Sequence, residues 1–166
     1  MNSNYITVGG SKLYYKPKNL KGSGEIQVDK VYNDFLKLFN KYFGTKATYD
    51  IDLSKVGYEL IPGFKGVYPM EDMNQLDKLN DKESYIINTG EHWVALYMNK
   101  KILVIYDSFG RKYQELFHKI LSDIYPKIVD VDNDAEQEIK QETCGQRALA
   151  WLSTIQSVGI DKAMLV

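Results

Sequence analysis

One cysteine, Cys144, and two histidines, one of them His92, are the residues of this chain best suited to covalent chemistry. A lone thiol is either inert packing or a nucleophile. Ala148, Leu149, Trp151, Leu152 and Ile155 recur at helical spacing, which predicts a helix over residues 144–157 with Cys144 at its start. At that position the helix dipole and the unpaired first-turn N–H groups favour a thiolate. Gly145 lets backbone approach a substrate carbonyl closely, as an oxyanion site requires. Small residues at a helix start also pack well for no chemical reason, so this position alone fits both readings.

His92 opens an apolar run, Trp93 to Met98, and a second run, Ile102 to Tyr106, ends at Asp107, 15 residues after His92. If the two runs pair as a hairpin across Asn99-Lys100, His92 and Asp107 fall at the same end. A general base and the carboxylate that orients it need that placement. Taken alone, His92 reads equally as a surface histidine beside a packing tryptophan. The order His, Asp, Cys is worth more than its parts. Trp93 would line the substrate site. A neutral amide can donate to an oxyanion without competing for protons. Gln137, seven residues before Cys144, and Gln141, three before, are the two candidates, and both also fit a solvated loop.

The elements that must position these groups are legible in part. Residues 1–25 are rich in Gly, Ser, Lys, Tyr and Asn and read as an arm, extended or in short edge strands, ahead of a single domain over 26–166. Val28, Val31, Phe35, Leu38, Phe39 and Tyr42 predict an amphipathic helix that Gly44 stops. Tyr58 and Leu60 before Pro62-Gly63 suggest a short strand entering a turn, and Met70 to Leu79 a polar helix or loop. Ser84 to Asn88 joins the two runs above as adjacent strands of a central sheet. Lys112 to Tyr125 predicts a helix closed by Pro126, and Ile128 to Val131 a short strand.

A net charge of −1 gives no whole-molecule field for nucleic acid or an anionic membrane. No long apolar run and no apolar core of a secretory signal occurs, so a soluble, intracellular protein without membrane contact is expected. A single cysteine excludes an internal disulfide and a thiolate-rich metal site.

Gly90-Glu91-His92-Trp93, Tyr106-Asp107-Ser108-Phe109-Gly110 and Gln137 through Thr143-Cys144-Gly145 together resemble adenain, the adenovirus maturation protease, and its relatives in virophages and polinton elements. Pro62-Gly63-Phe64 and the stretch to Pro69 extend the likeness, which covers roughly residues 57 to 157. The resemblance implies an α+β, papain-like cysteine protease fold of the adenain and SUMO-protease type, with a mostly antiparallel central sheet. His92 would be the general base, Asp107 its partner, Gln137 the oxyanion donor and Cys144 the nucleophile. Adenain carries Glu at the place of Asp107; the related SUMO-deconjugating proteases carry Asp.

The implied activity is cleavage of capsid and core precursors at Gly-containing sites, without a cofactor, by a monomer. It would act in the host cytoplasm or viral factory and be packaged in the virion. An activating peptide or DNA is the further partner it implies, although a disulfide-linked peptide would consume Cys144. Leu20-Lys21-Gly22-Ser23-Gly24 resembles the family's cleavage pattern and suggests self-processing after Ser23. The alternatives are an isopeptidase of a ubiquitin-like protein and a non-catalytic capsid-associated protein of the same fold.

Overall fold

The computed structural model describes residues 5–8, 11–14, 25–44, 49–90, 93–131 and 143–166. Two short strands, β1 (Tyr5–Val8) and β2 (Ser11–Tyr14), pair as an antiparallel hairpin. The helix α1 (Glu25–Phe43) follows and buries Val28, Val31, Tyr32, Phe35, Leu36 and Phe39, the stripe that three- and four-residue spacing places on one face. Gly44 ends it, its N–H bonding back to the Asn40 carbonyl at 2.8 Å.

The stretch holding Tyr58 and Leu60 departs from the expected short strand. It lies in a helix, α2 (Asp50–Leu60), which buries Leu53, Val56, Gly57 and Leu60. Asp50 and Asp52 in its first turn complement the helix dipole. The spacing of Leu53, Val56 and Leu60 is helical, whereas Gly57 and the aromatic Tyr58 mimic the end of a strand. Gly63 turns the chain at φ +78, and a Cβ there would lie 2.5 Å from the Lys82 carbonyl oxygen. The strand comes after that turn, as β3 (Phe64–Pro69), and leads into a short 3-10 helix, Met70–Gln75.

The expected strands follow as β4 (Ser84–Asn88), β5 (Trp93–Asn99) and β6 (Ile102–Tyr106). Next come α3 (Gln114–Leu121), shorter than its sequence pattern, and β7 (Lys127–Asp130). Asp130 explains where α3 starts: its carboxylate accepts the N–H groups of Tyr113 and Gln114 at 2.8 and 2.9 Å. The chain closes with α4 (Cys144–Val158) and a last turn, α5 (Ile160–Ala163).

The class is α+β. One five-stranded sheet runs in the order β3-β4-β5-β6-β7. Its centre, β4-β5-β6, is antiparallel as expected, and each edge gains a parallel neighbour, β3 beside β4 and β7 beside β6. Helices cover both faces. Ile86, Ala95, Tyr97, Val104 and Tyr106 face α1, α2 and α4, while Ile87, Val94, Leu96, Leu103 and Ile105 face Phe117 and Leu121 of α3. A strand covered on both faces has no solvent side, which is why β4 to β6 read as unbroken apolar runs.

Two contacts fix α4. Gln146, fully buried, donates from Nε2 to the Gly44 carbonyl at 3.1 Å, tying the start of α4 to the end of α1. Trp151 donates from Nε1 to the Ala163 carbonyl at 3.0 Å and stacks on Tyr106 of β6, with ring centroids 5.1 Å apart and planes 3° from parallel. Among the described residues no helix is long and apolar enough to cross a membrane.

Candidate active site

The strand directions gather the site. Because β5 alone runs against its neighbours, the ends of β3, β4 and β6 lie beside the start of β5. The ladder pairs Ala95 with Tyr106, so Trp93 at the start of β5 and Asp107 just beyond β6 emerge at one end of the sheet. The expected hairpin is therefore present, with Asn99 paired to Ile102 and the turn one residue later than expected, at Lys100-Lys101. His92, joined to Trp93 in the chain, lies outside the described residues, as do Gln137 and Gln141 and the segment 20–24.

Cys144 is the first residue of α4 and is 9% exposed, so the thiol is nearly closed off from solvent. Thr143 stands at the cap position, yet its hydroxyl does not cap the helix. That hydroxyl instead accepts from Arg147 Nε at 3.1 Å, one turn on, and the Thr143 carbonyl accepts the Arg147 N–H at 2.9 Å. The first-turn N–H groups of Cys144 and Gly145 are left for the sulfur, which also receives a backbone hydrogen bond from Trp93. Cys144, Gly145 and Trp93 thus meet. Gly145 is buried, and Trp93 is half-buried with its backbone against the thiol.

Asp107 is 2% exposed. Its backbone carbonyl accepts the Gly110 N–H at 2.9 Å, closing the turn Asp107-Ser108-Phe109-Gly110, and Gly110 supplies the positive φ of +68. The carboxylate accepts the N–H groups of Phe109 at 3.0 Å and Arg111 at 3.2 Å, so its own loop holds it in place. It sits near enough to Cys144 for its negative charge to act on the thiol.

The electrostatics correct one inference from sequence. Burial pushes the Cys144 pKa up, the hydrogen bonds from Trp93, Gly145 and Cys144 pull it partly back, and Asp107 adds to the rise. Among the described groups, desolvation outweighs the helix start. A thiolate at neutral pH would call for a cation beside the sulfur to offset that rise.

Sequence reasoning missed what braces these groups. Tyr32 of α1 and Tyr106, the residue before Asp107, share a buried hydrogen bond at 2.7 Å, and Arg147 reaches Tyr32 at 3.4 Å. The chain from Thr143 through Arg147 and Tyr32 to Tyr106 joins the residue before the thiol to the residue before the carboxylate. Helical spacing could have paired Arg147 with Thr143. No sequence signal links Tyr32 to a strand residue 74 positions away.

No family model matches the chain, and no curated protein is similar to it. Among solved structures it is similar to the crystal structure of the ASFV pS273R protease, at a TM-score of 0.47 and 16% identity. That match covers 74% of this chain and 66% of the other, just under two thirds of its length. The functional reading therefore stands on the geometry.

Proposed function

We propose that the chain is a papain-like cysteine protease with Cys144 as nucleophile, His92 as base and Asp107 as the group that orients it. One observation carries the reading. The thiol opens a helix with its sulfur against the backbone of Trp93, and a buried, loop-held carboxylate lies at the same end of the sheet. In the proposed reaction His92 takes the thiol proton, and Cys144 Sγ attacks the scissile carbonyl carbon. The C–N bond breaks, the leaving amine takes the proton from His92, and water activated by His92 hydrolyses the thioester. The N–H groups of Cys144 and Gly145 and the amide of Gln137 would hold the oxyanion.

The finer reading is a maturation protease of the adenain type, a monomer acting on capsid or core precursors at Gly-containing sites. It would work in the host cytoplasm or viral factory, be packaged in the virion and be activated by a peptide or DNA. Incubating the protein with capsid precursors and, separately, with conjugates of ubiquitin-like proteins tests it. Precursor cleavage lost in Cys144→Ala supports maturation; cleavage of the conjugates alone moves the assignment to an isopeptidase. Gln137→Ala should lose more turnover than Gln141→Ala, and equal losses would remove Gln137 from the oxyanion site.

A further inference from the structure

At the end of the sheet that holds Cys144, the register lines up Pro69 of β3, Asn88 of β4 and Trp93 of β5 in one row. A groove of about 430 Å³ opens beside this row and reaches Tyr49 and Asp50 at the start of α2. Tyr68 forms a firm wall. Its hydroxyl donates to the Lys65 carbonyl at 3.1 Å, and its ring meets Tyr85 edge to face with centroids 5.5 Å apart. Tyr49, also in the lining, is 75% exposed and the neighbouring Ile51 76%, apolar surface that the described fold leaves open to solvent.

Among the described residues of the lining, Asp50 carries the one charge. The Ile51 N–H donates to its Oδ1 at 3.0 Å, which steadies the carboxylate at the helix start, and no described cation forms an ion pair with it. The rest of the lining is aromatic or neutral: Tyr49, Tyr68 and Trp93 offer π faces, and Asn88 an amide. A carboxylate set among aromatic rings suits a cation with a flat or long apolar stem, which pairs with the charge and lies over a ring.

We infer that this groove is a specificity subsite that receives an arginine or lysine side chain of the substrate, selected by Asp50. The inference rests on the protease reading, because Trp93, which lines the groove, is also the residue whose backbone meets the Cys144 sulfur. An aliphatic side chain would fill the aromatic part without pairing with the Asp50 charge.

The test uses the full chain as Cys144→Ala, which binds without turnover, and octapeptides built around Gly-Gly. In these, one Arg, Lys, Leu or Glu is walked through the other six positions. Binding is read by fluorescence anisotropy. At one position Arg and Lys should bind about five- to tenfold more tightly than Glu, the effect of one charge pair with cation–π contact. Adding Asp50→Asn should flatten the preference, and adding Asp50→Lys should turn it toward Glu. Equal binding of all the peptides, no binding, a preference for Leu, or an unchanged preference in Asp50→Lys would overturn the inference. Cleavage by the wild-type chain is scored separately: binding with the Arg preference but no cleavage would contradict the protease reading and leave the subsite standing.

Discussion

The hydroxyls of Tyr32 and Tyr106 lie 2.7 Å apart in the core, and Tyr106 immediately precedes Asp107. Tyr106 is also stacked on Trp151 of the helix that begins at Cys144. Helix α1 therefore reaches the carboxylate's strand through one hydrogen bond and the nucleophile's helix through the same ring. Tyr32→Phe removes this bond, and with it the longer contact from Arg147 at 3.4 Å, while keeping the packing. It should lower stability by about 1 kcal/mol, read as a shift of the urea midpoint with an unchanged slope. An unshifted midpoint would mean that this bond contributes nothing to holding the two ends together.

Asp107 has two tasks in this account, accepting the loop N–H groups and orienting His92. Asp107→Asn keeps one acceptor oxygen for Phe109 and loses the one for Arg111, so the fold should survive at a cost of about 1 kcal/mol. Turnover should fall, but less than in Cys144→Ala or His92→Ala. Asp107→Ala, which loses both acceptors, should be the less stable of the two variants. Wild-type turnover in a folded Asp107→Asn protein would remove Asp107 from the mechanism.

The Cys144 thiol gives a pH test with a definite sign. The described surroundings raise its pKa above the ordinary cysteine value, led by burial, so without a neighbouring cation the thiolate forms only at alkaline pH. Iodoacetamide alkylation of His92→Ala should therefore slow as pH falls through that raised value and be slow at pH 7. The wild-type chain should still react at pH 7, because an imidazolium beside the sulfur favours the thiolate. Superimposable alkylation profiles would show that His92 does not act on the thiol.

Gly57 sets two effects against each other. Alanine is a better helix former than glycine by about 1 kcal/mol, yet a Cβ on Gly57 would run into the Phe64 ring of β3. The neighbour is the body of an aromatic ring that also packs edge to face on Tyr58 at 5.3 Å, so it cannot swing away freely. Overpacking of this kind costs about 1 to 3 kcal/mol. Gly57→Ala should therefore lower the melting temperature; a rise would mean that β3 shifts at little cost.

The parts of this fold legible in the sequence are those whose burial is uniform along the chain. β4, β5 and β6 lie between two helical layers, so their inner positions are all apolar and the runs stand out, and α1 and α4 bury stripes of regular spacing. α2 was hidden because its close approach to Phe64 requires a glycine in mid-helix, and glycine followed by an aromatic residue reads as the end of a strand. β3 was hidden because, as an edge strand, it alternates little and carries Lys65 and Gly66. Within the candidate site, the placement of Asp107 followed from the hairpin and that of Cys144 from helical spacing. The raised thiol pKa did not follow, because desolvation depends on what closes over the sulfur. The Tyr32–Tyr106 bond joins residues that only the packing of α1 on the sheet brings together.

The measurement that bears most directly on the nucleophile is cleavage of a proteome-derived peptide library by the full chain and by Cys144→Ala, with the new termini mapped by mass spectrometry. The account predicts cuts concentrated at Gly-containing sites with the wild-type chain and none with Cys144→Ala. An uncut library, or the same cuts with Cys144→Ala, would contradict it.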